Sequence, residues 1–342
     1  MNLKRIIISV LIVIAVIGSI FMGSIYYIFF SPKFNIDKTV YIYIDRDDNI
    51  DSVLNKITIA ANPDDLYGFN YLSKKNNYAT NIKTGKYEIK SDDNLRYLFR
   101  RLSKGYQTPI NLTIPSVRTI DKLYKTLSKQ LMVDSLELAT AFSDSLLISQ
   151  SGYNVQTLPA LFIPNTYQVY WNISPDKLIE RIIKENKKFW NADRLKKAEE
   201  LKLTPIEVST LASIVEEETA NKLEKPMVAG LYLNRLKRGM LLQADPTVKF
   251  GLQDFTLRRI LNKHLLVDSP YNTYRYAGLP PGPIRIPSID GIESVLNYSH
   301  HNYLYMCAKE DFSGTHNFAE NMAQHQINAR KYQQALNKRN IK

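Results

Sequence analysis

Three consecutive glutamates, residues 216–218, lie at the end of an apolar segment of the chain. At helical spacing, Glu218 falls on the apolar face and the other two glutamates point to its flanks. The apolar residues on that face are Leu211, Ile214 and Val215. A carboxylate on such a face is costly to ionise, so its pKa rises. Glu218 is therefore predicted to remain protonated near neutral pH, as a general acid must.

Glu218 also has a structural interpretation, in which it forms an ion pair. Lys222 lies one helical turn further on, and Arg235 and Arg238 follow later in the chain. Carboxylates and cations one turn apart on a helix commonly pair. The pattern alone leaves both interpretations open.

Polar and aromatic residues follow Glu218 in segments punctuated by proline and glycine. The segments are 242–248, 269–274 and 278–284, and the last contains three Pro and two Gly. Rigid loops rich in Tyr, Asn, Thr and Gln suit carbohydrate, since rings stack on sugar faces and amides bridge hydroxyl groups. Stable turns alone would explain the Pro and Gly equally well.

Other chemistries have weaker support in the sequence. There is no nucleophile elbow of the GxSxG form and no glycine-rich phosphate loop. The single cysteine, Cys307, excludes a disulfide framework and a CxxC site. His300 and His301 are adjacent and would face different directions, and His316 has no partner at metal-ligand spacing. We therefore expect neither a metal ion nor a cofactor.

The N-terminal segment predicts a membrane anchor. Residues 6–30 carry no charge and follow Lys4 and Arg5. The segment is long enough to cross a hydrocarbon core of about 30 Å. A cleaved signal peptide would have a shorter apolar region and a small-residue cleavage site, whereas tyrosines and phenylalanines follow here, as in an interfacial aromatic belt. Residues 1–5 are predicted to be cytoplasmic, with a single-pass helix over 6–30 and the rest of the chain on the extracytoplasmic side of the cytoplasmic (inner) membrane.

The composition is that of a globular protein with a basic surface. The 342 residues are 44% hydrophobic and 23% charged, and their length suggests two domains. The formal net charge is +12. This charge could favour an acidic polymer or a membrane surface, and a merely solvated basic surface explains it as well. Export across the membrane argues against nucleic acid as a partner.

A small module is predicted over residues 38–103. A strand at Val40–Ile44 precedes two helices, which begin near Asn49 and Asn62, and a strand returns at 85–89. The order is therefore β-α-α-β.

The remaining chain predicts more helix than strand. A strand is expected at 109–114, a helix at 119–131, and mostly helix over 133–200 with a proline-containing turn at 163–165. Residues 204–207, Thr-Pro-Ile-Glu, have the form of a capping box with proline at the first helical position. This box would begin the helix that carries Glu218, and the fold class is α+β.

Taken together, the motifs over residues 205–330 resemble the endolytic murein transglycosylase, or YceG-like, family. The segments that carry the resemblance, in order, are Leu211-Ala-Ser-Ile-Val-Glu-Glu-Glu-Thr219, Asn234-Arg235-Leu-x-x-Gly-Met240, Leu242-Gln-Ala-Asp-Pro-Thr-Val248, Tyr271-Asn-Thr-Tyr274, Gly278-Leu-Pro-Pro-Gly-Pro-Ile284 and Gly314-x-His-x-Phe318. The resemblance implies a LysM-like subdomain over 38–103 and an α+β catalytic domain over 104–342. It also places the catalytic glutamate on Glu218, which the helical-face argument selects independently. Asn165 stands where the family usually has aspartate, so no role is transferred to it.

The implied reaction is cleavage of the β-1,4 bond between N-acetylmuramic acid and N-acetylglucosamine inside a nascent glycan strand, which leaves a 1,6-anhydro end and would terminate elongation of the strand. Glu218 would act first as acid and then as base. The residues expected to position the sugar are Gln243, Asp245, Tyr271, Asn272 and Thr273. The implied partners are peptidoglycan glycan strands, with peptidoglycan synthases as candidate protein partners.

Three alternatives to this reaction remain open at the level of sequence. A muramidase-type hydrolase would use Glu218 with a second acid, for which Asp245 is the best candidate. A non-catalytic wall-binding scaffold would tolerate loss of the acid. A structural partner of the division or elongation machinery would need the anchor but not Glu218.

Overall fold

The computed structural model describes residues 3–257 and 259–339. Residues 1 and 2 of the predicted cytoplasmic segment lie outside these ranges. So do Arg258 and the last three residues of the predicted catalytic domain.

The N-terminal anchor prediction corresponds to one long helix. Helix α1 (Leu3–Phe29) has 27 residues, none of them buried, which at 1.5 Å per residue is about 40 Å. Among the described residues it is the one helix long and apolar enough to cross a membrane. A single-pass membrane anchor therefore fits this part of the chain.

The chain divides into two compact units. The first contains the residues up to Leu112 together with Gln130–Met132 and Gln168–Ile173, and the second contains the rest. After α1, the first unit comprises β1 (Val40–Ile44), α2 (Ile50–Ala61), α3 (Tyr67–Lys75), β2 (Gly85–Ile89) and α4 (Leu95–Lys104). The domain assignment made from the sequence, with its boundary at 103/104, stays a prediction.

The predicted β-α-α-β order is present in the first unit. Strands β1 and β2 pair antiparallel, with Val40 opposite Ile89 and Ile44 opposite Gly85. The second helix begins at Tyr67, later than predicted, because Asn62 adopts a left-handed conformation (φ 41°) and ends α2.

The end of α1 packs closely on α3. A Cβ atom at Gly68 would lie 2.7 Å from the carbonyl oxygen of Ile28, so glycine permits the approach. The rings of Phe29 and Tyr71 are 5.8 Å apart and meet edge to face. The folded part of the first unit therefore begins directly where α1 ends.

The second unit is mainly helical. Strands β3 (Ile110–Ile114) and β4 (Asn165–Val169) pair with each other, and the chain passes between the two units within them. The helices are α5 (Ile120–Ser128), α6 (Ser135–Asp144), α7 (Leu146–Gln150), α8 (Pro175–Phe189), α9 (Ala192–Glu200), α10 (Pro205–Glu218), α11 (Lys225–Lys237), α12 (Asp245–Leu252), α13 (Ile289–Leu296) and α14 (Met322–Lys338), with a hairpin of β5 (Tyr305–Ala308) and β6 (His316–Ala319) before α14.

Strand β4 corrects the prediction for the middle segment. The proline-containing turn was expected at 163–165, but Asn165 begins a strand that pairs with β3. Three of its residues, Thr166, Tyr167 and Val169, are β-formers, but a five-residue strand inside a helical region has too short a pattern to be recognised.

Helix α10 forms the centre of the second unit. Thr204 caps it in a reciprocal capping box with Glu207, and Pro205 is its first residue, as predicted. Residues 208–215 are all buried, so the helix is surrounded rather than amphipathic. It packs against α9, α11, α12 and α13. Its C-terminal turn, with the three glutamates, is where it leaves the core.

Candidate active site

Two of the three glutamates at the end of α10 are fixed by cations. Glu217 accepts two hydrogen bonds from Arg118, at 3.0 and 2.6 Å, and one from Arg285 at 2.9 Å. Glu216 accepts a hydrogen bond from the backbone N–H of Ser288 at 2.9 Å and lies 3.6 Å from the ammonium group of Lys225. These carboxylates tie α10 to neighbouring segments and are committed to ion pairs.

Glu218 has a different environment. Its Oε1 accepts a hydrogen bond of 2.8 Å from the hydroxyl group of Tyr232, on α11. The part of the chain that the structure describes places no ion pair on Glu218, and its Oε2 has no hydrogen-bond partner there. The cations proposed as structural partners do not contact it. Arg235, for example, donates to the carbonyl oxygens of Leu304 and Leu242 instead.

The pKa of Glu218 is high for a carboxylic acid. Burial is the main cause that raises the pKa of Glu218 to about 7; the hydrogen bond from Tyr232 and the charge of Lys249 oppose it, and the charge of Asp245 acts with it. Its place in the last turn of α10 acts in the same direction as burial, because the helix C-terminus is partly negative. A substantial fraction of Glu218 is therefore protonated at neutral pH and can donate a proton.

Gln243 is held in a strained loop before α12. It is exposed, adopts a left-handed conformation (φ 52°), and its backbone N–H donates to the carbonyl oxygen of Thr273 at 3.1 Å. Arg235 is buried and donates both to the loop carbonyls of residues 241 and 242 and to Oε1 of Gln243, at 3.3 Å. With the oxygen occupied, the amide nitrogen of Gln243 is the group left to donate to a substrate. A non-glycine residue with positive φ is costly and is common at functional sites.

Asp245 is the second acid in the neighbourhood of Glu218. It is exposed at the first turn of α12, and its Oδ1 accepts a hydrogen bond of 2.6 Å from the hydroxyl group of Tyr274. Burial raises the pKa of Tyr274, so this hydroxyl stays a donor. The structure thus places Gln243 and Asp245 at the surface, with side chains that a ligand can reach.

Asn272 and Thr273 correct the expectation of direct sugar contact. Asn272 is fully buried, and its amide group donates to the carbonyl oxygens of Leu265 and Val267 while accepting from the backbone N–H of Tyr274. Thr273 is buried and accepts a hydrogen bond from the backbone N–H of residue 244. Because their polar atoms are already used inside the protein, both residues build the loop rather than present groups to solvent.

Tyr271 has an intermediate position. It is partly buried, its ring centroid is 4.6 Å from that of Phe250, and burial raises the pKa of its hydroxyl group. Its ring thus packs against α12, which carries Asp245, and contact of Tyr271 with the sugar stays a prediction.

The proline-rich segment 278–284 also buttresses α10. The backbone N–H of Ile284 donates to the buried hydroxyl group of Ser213 at 3.0 Å. A Cβ atom at Gly282 would lie 2.1 Å from the carbonyl oxygen of Gln156, so this position requires glycine. In this structure, segment 278–284 therefore supports α10 by packing.

A polar cluster beside Glu218 was not recognised from the sequence. Glu224 accepts hydrogen bonds from the hydroxyl group of Thr219 at 2.8 Å and from the backbone N–H of His316 at 2.7 Å, and its Oε2 lies 3.0 Å from Nδ1 of His316. Because Thr219 follows Glu218 directly, this cluster fixes the end of α10. Tyr232 was also missed. The motif with His316 was a usable signal for the cluster, whereas nothing in the sequence pairs residues 218 and 232.

The described residues contain no group of three or more His, Cys, Asp and Glu side chains placed to hold a metal ion. The arrangement instead provides one proton donor, two exposed polar side chains and a rigid support. The arrangement can therefore bind a polar ligand and transfer a proton to it.

Comparison with known proteins identifies the family. The model of the YceG-like family matches residues 42–331, and the chain belongs to that family. It is 30% identical over 295 residues to a protein of Streptococcus pneumoniae serotype 2 (strain D39) named endolytic murein transglycosylase, covering 76% of this chain and 52% of that protein. A Bacillus subtilis (strain 168) protein of the same name is 33% identical over 207 residues, with 59% of this chain and 56% of the relative covered. The chain thus spans about half the length of the curated relatives that it matches.

A solved structure supports the fold. The crystal structure of a yceG-like protein from Listeria monocytogenes superposes with a TM-score of 0.56 at 24% identity, covering 85% of this chain and 99% of that one. At this identity the likeness concerns the fold alone.

Proposed function

We propose that the protein is a membrane-anchored endolytic murein transglycosylase, a lyase that cleaves the glycan strands of peptidoglycan. The observation that carries the proposal is the contrast at the end of α10. Of the three glutamates there, Glu218 alone has no ion pair with any residue that the structure describes, and its pKa is raised to about 7. The two curated relatives bear the name of this activity.

In the proposed mechanism, Glu218 serves first as the acid. Its proton passes to the glycosidic oxygen as the bond from that oxygen to C1 of N-acetylmuramic acid breaks, and positive charge develops at C1. The hydrogen bond from Tyr232 stabilises the carboxylate that is formed.

Glu218 then serves as the base. The carboxylate takes the proton of the C6 hydroxyl group of the same sugar, and the C6 oxygen bonds to C1. The product is a 1,6-anhydro end, no water is consumed, and the glutamate is protonated again. Attack from within the same sugar is favoured by proximity. We propose that Gln243 and Asp245 bind the sugar directly and that Tyr271, Asn272 and Thr273 hold their loop.

A muramidase-type hydrolase is the second candidate, and Asp245 is the observation that favours it. The charge of Asp245 raises the pKa of Glu218. Asp245 is also exposed, as a base that activates water must be. Its hydrogen bond from Tyr274 supports a binding role instead, since one of its oxygens is occupied.

The test is the product of glycan digestion. The purified full chain in detergent is incubated with glycan strands, and the products are analysed by mass spectrometry. A transglycosylase leaves anhydro ends, whereas a hydrolase leaves reducing ends heavier by one water. Reducing ends that disappear with Asp245→Asn would establish the hydrolase, and no cleavage at all would favour a wall-binding scaffold.

The finer assignments of the chain belong to the same proposal. We propose that residues 38–103 form a LysM-like subdomain, for which the β-α-α-β order is the support, and that 104–342 is the catalytic domain. We also propose that both lie on the extracytoplasmic side of the cytoplasmic membrane, where peptidoglycan synthases would be partners. A protease added to intact spheroplasts should digest these regions.

A further inference from the structure

A cleft in the first unit has no part in the proposed reaction. It lies between α3, the short 3-10 turn Tyr78–Thr80 and α4, and its volume is about 410 Å³. Leu72 and Phe99 form part of its wall, and three cations, Arg96, Arg100 and Lys104, line one side. No acidic residue lines it.

The three cations form a row without counter-ions. They recur every four residues along α4 and therefore lie on one helical face. All three are exposed, and none forms an ion pair with any residue that the structure describes. Arg101, on another face of the same helix, is instead paired with Asp93 at 2.6 Å. A row of unpaired cations in a concave site attracts an anion.

Tyr78 forms part of the apolar floor of the cleft. It is 2% exposed and lines the cleft. Its ring meets the ring of Phe99, another lining residue, edge to face, with the centroids 5.8 Å apart. The cleft therefore combines a cationic side with an apolar floor.

The cleft lies beside the end of the anchor helix. The guanidinium group of Arg96 is 5.1 Å from the ring centroid of Phe30, the residue after α1. Tyr71, which precedes Leu72 of the cleft wall, contacts Phe29. Tyr67, Tyr71 and Tyr97 are exposed nearby, and exposed tyrosines with cations are typical of surfaces at the headgroup level.

We propose that this cleft binds the phosphate group of an anionic membrane lipid. Arginine and lysine supply charge-assisted hydrogen bonds to phosphate oxygens. The apolar wall next to the anchor would accept the start of the acyl region. Such a contact would hold the first unit against the membrane surface, and it does not depend on Glu218.

The test compares two triple variants of the full chain in detergent. The cleft variant is Arg96→Gln, Arg100→Gln, Lys104→Gln. The control is Lys122→Gln, Lys125→Gln, Lys129→Gln, which removes the same charge from exposed positions on and just after α5. Native mass spectrometry measures retained phosphatidylglycerol, with phosphatidylcholine as the zwitterionic comparison, and equilibrium dialysis measures inorganic phosphate. Thermal unfolding verifies that each variant is folded.

We expect the wild type and the control variant to retain phosphatidylglycerol, and the cleft variant to bind it at least about tenfold more weakly. Cleft-dependent binding of inorganic phosphate without lipid retention would support the phosphate site and assign it to a soluble phosphate. Equal behaviour of the two triple variants in both assays, or cleft-dependent binding of an N-acetylglucosamine tetramer in place of either phosphate ligand, would overturn the proposal.

Discussion

The C-terminal turn of α10 has two sides that use the same residue type in opposite ways. On one side, Glu216 and Glu217 are paired with lysine and arginine and connect α10 to distant segments. On the other, Glu218 meets a tyrosine hydroxyl and no cation. Three adjacent carboxylates thus differ in chemistry because of what the surrounding helices place against them. Ionised glutamates stabilise the fold on the first side, and a protonated one is available for reaction on the second.

The largest expected effect is on turnover. Glu218→Gln keeps the size of the side chain and removes the transferable proton, so the rate of glycan cleavage should fall by at least about 100-fold. Glu216→Gln and Glu217→Gln should leave most of the activity in any molecules that remain folded. Anhydro-product formation, measured by mass spectrometry, checks this. The comparison fails if Glu216→Gln abolishes the product and Glu218→Gln retains it.

The same substitution should increase stability at alkaline pH. The folded-state pKa of Glu218, about 7, lies above its ordinary value of 4.5, so the folded state binds more protons between these values. The contribution of Glu218 to stability is fully present below pH 4.5 and is lost as the pH rises through 7. Above pH 7, the free energy of unfolding of Glu218→Gln should be about 2–3 kcal/mol larger than that of the wild type. Chemical denaturation at pH 5 and pH 8.5 measures the difference, and an identical difference at both pH values would refute it.

Asn272→Ala tests which polar residues near Glu218 are structural. The substitution removes a buried side chain that satisfies three partly buried backbone groups. Leaving such groups without partners should lower the free energy of unfolding by about 2–3 kcal/mol. The matched variant is Gln243→Ala, at an exposed position, which should change stability little and raise KM. If Asn272→Ala were as stable as the wild type but inactive, the result would indicate that Asn272 contacts the substrate directly.

Local signals in the sequence predicted some of this arrangement well. The capping box at Thr204 and the strands β1 and β2 were each predicted from residues next to one another in the chain, and all are present. The prediction that Glu218 resides in an apolar environment also used local spacing. The environment of Glu218 depends on its contact with Tyr232 and on the lack of a contact with Arg235. Both are determined by helix packing, which local periodicity does not encode.

The mistaken predictions have the same physical origin. Asn272 and Thr273 are residue types found both in turns and in carbohydrate sites, and only burial distinguishes the two roles. Strand β4 is stabilised by pairing with β3, which is about fifty residues away in the sequence, so nothing next to it marks it as a strand.

Glu217→Gln should lower the stability of the protein, because it removes the ion pairs of Glu217. The carboxylate receives three hydrogen bonds from Arg118 and Arg285 and is largely buried. A neutral amide keeps part of the hydrogen bonding but not the charge, and Arg118 remains partly solvated. We therefore expect a loss of about 1–2 kcal/mol in stability. Thermal unfolding at low and high salt measures it, with Glu199→Gln on the exposed face of α9 as a control. A loss no larger than that of the control would mean that the ion pairs contribute nothing.

The smallest expected effect concerns the hydrogen bond between Tyr232 and Glu218. The tyrosine donates to the carboxylate and lowers the pKa of Glu218 against the larger effect of burial. Tyr232→Phe should therefore move the alkaline limb of the pH–rate profile upward by roughly one pH unit, since a hydrogen bond to a charged group contributes about 1.5–3 kcal/mol before solvent and relaxation reduce it. The maximal rate should fall only a few-fold, because the acid is still present and the loss concerns its orientation. A purely structural role for Tyr232 would lower the rate equally at every pH and leave the limb where it is. A downward movement of the limb would show that the hydroxyl group stabilises the protonated form of Glu218. Tyr232 would then raise the pKa of Glu218 instead of lowering it.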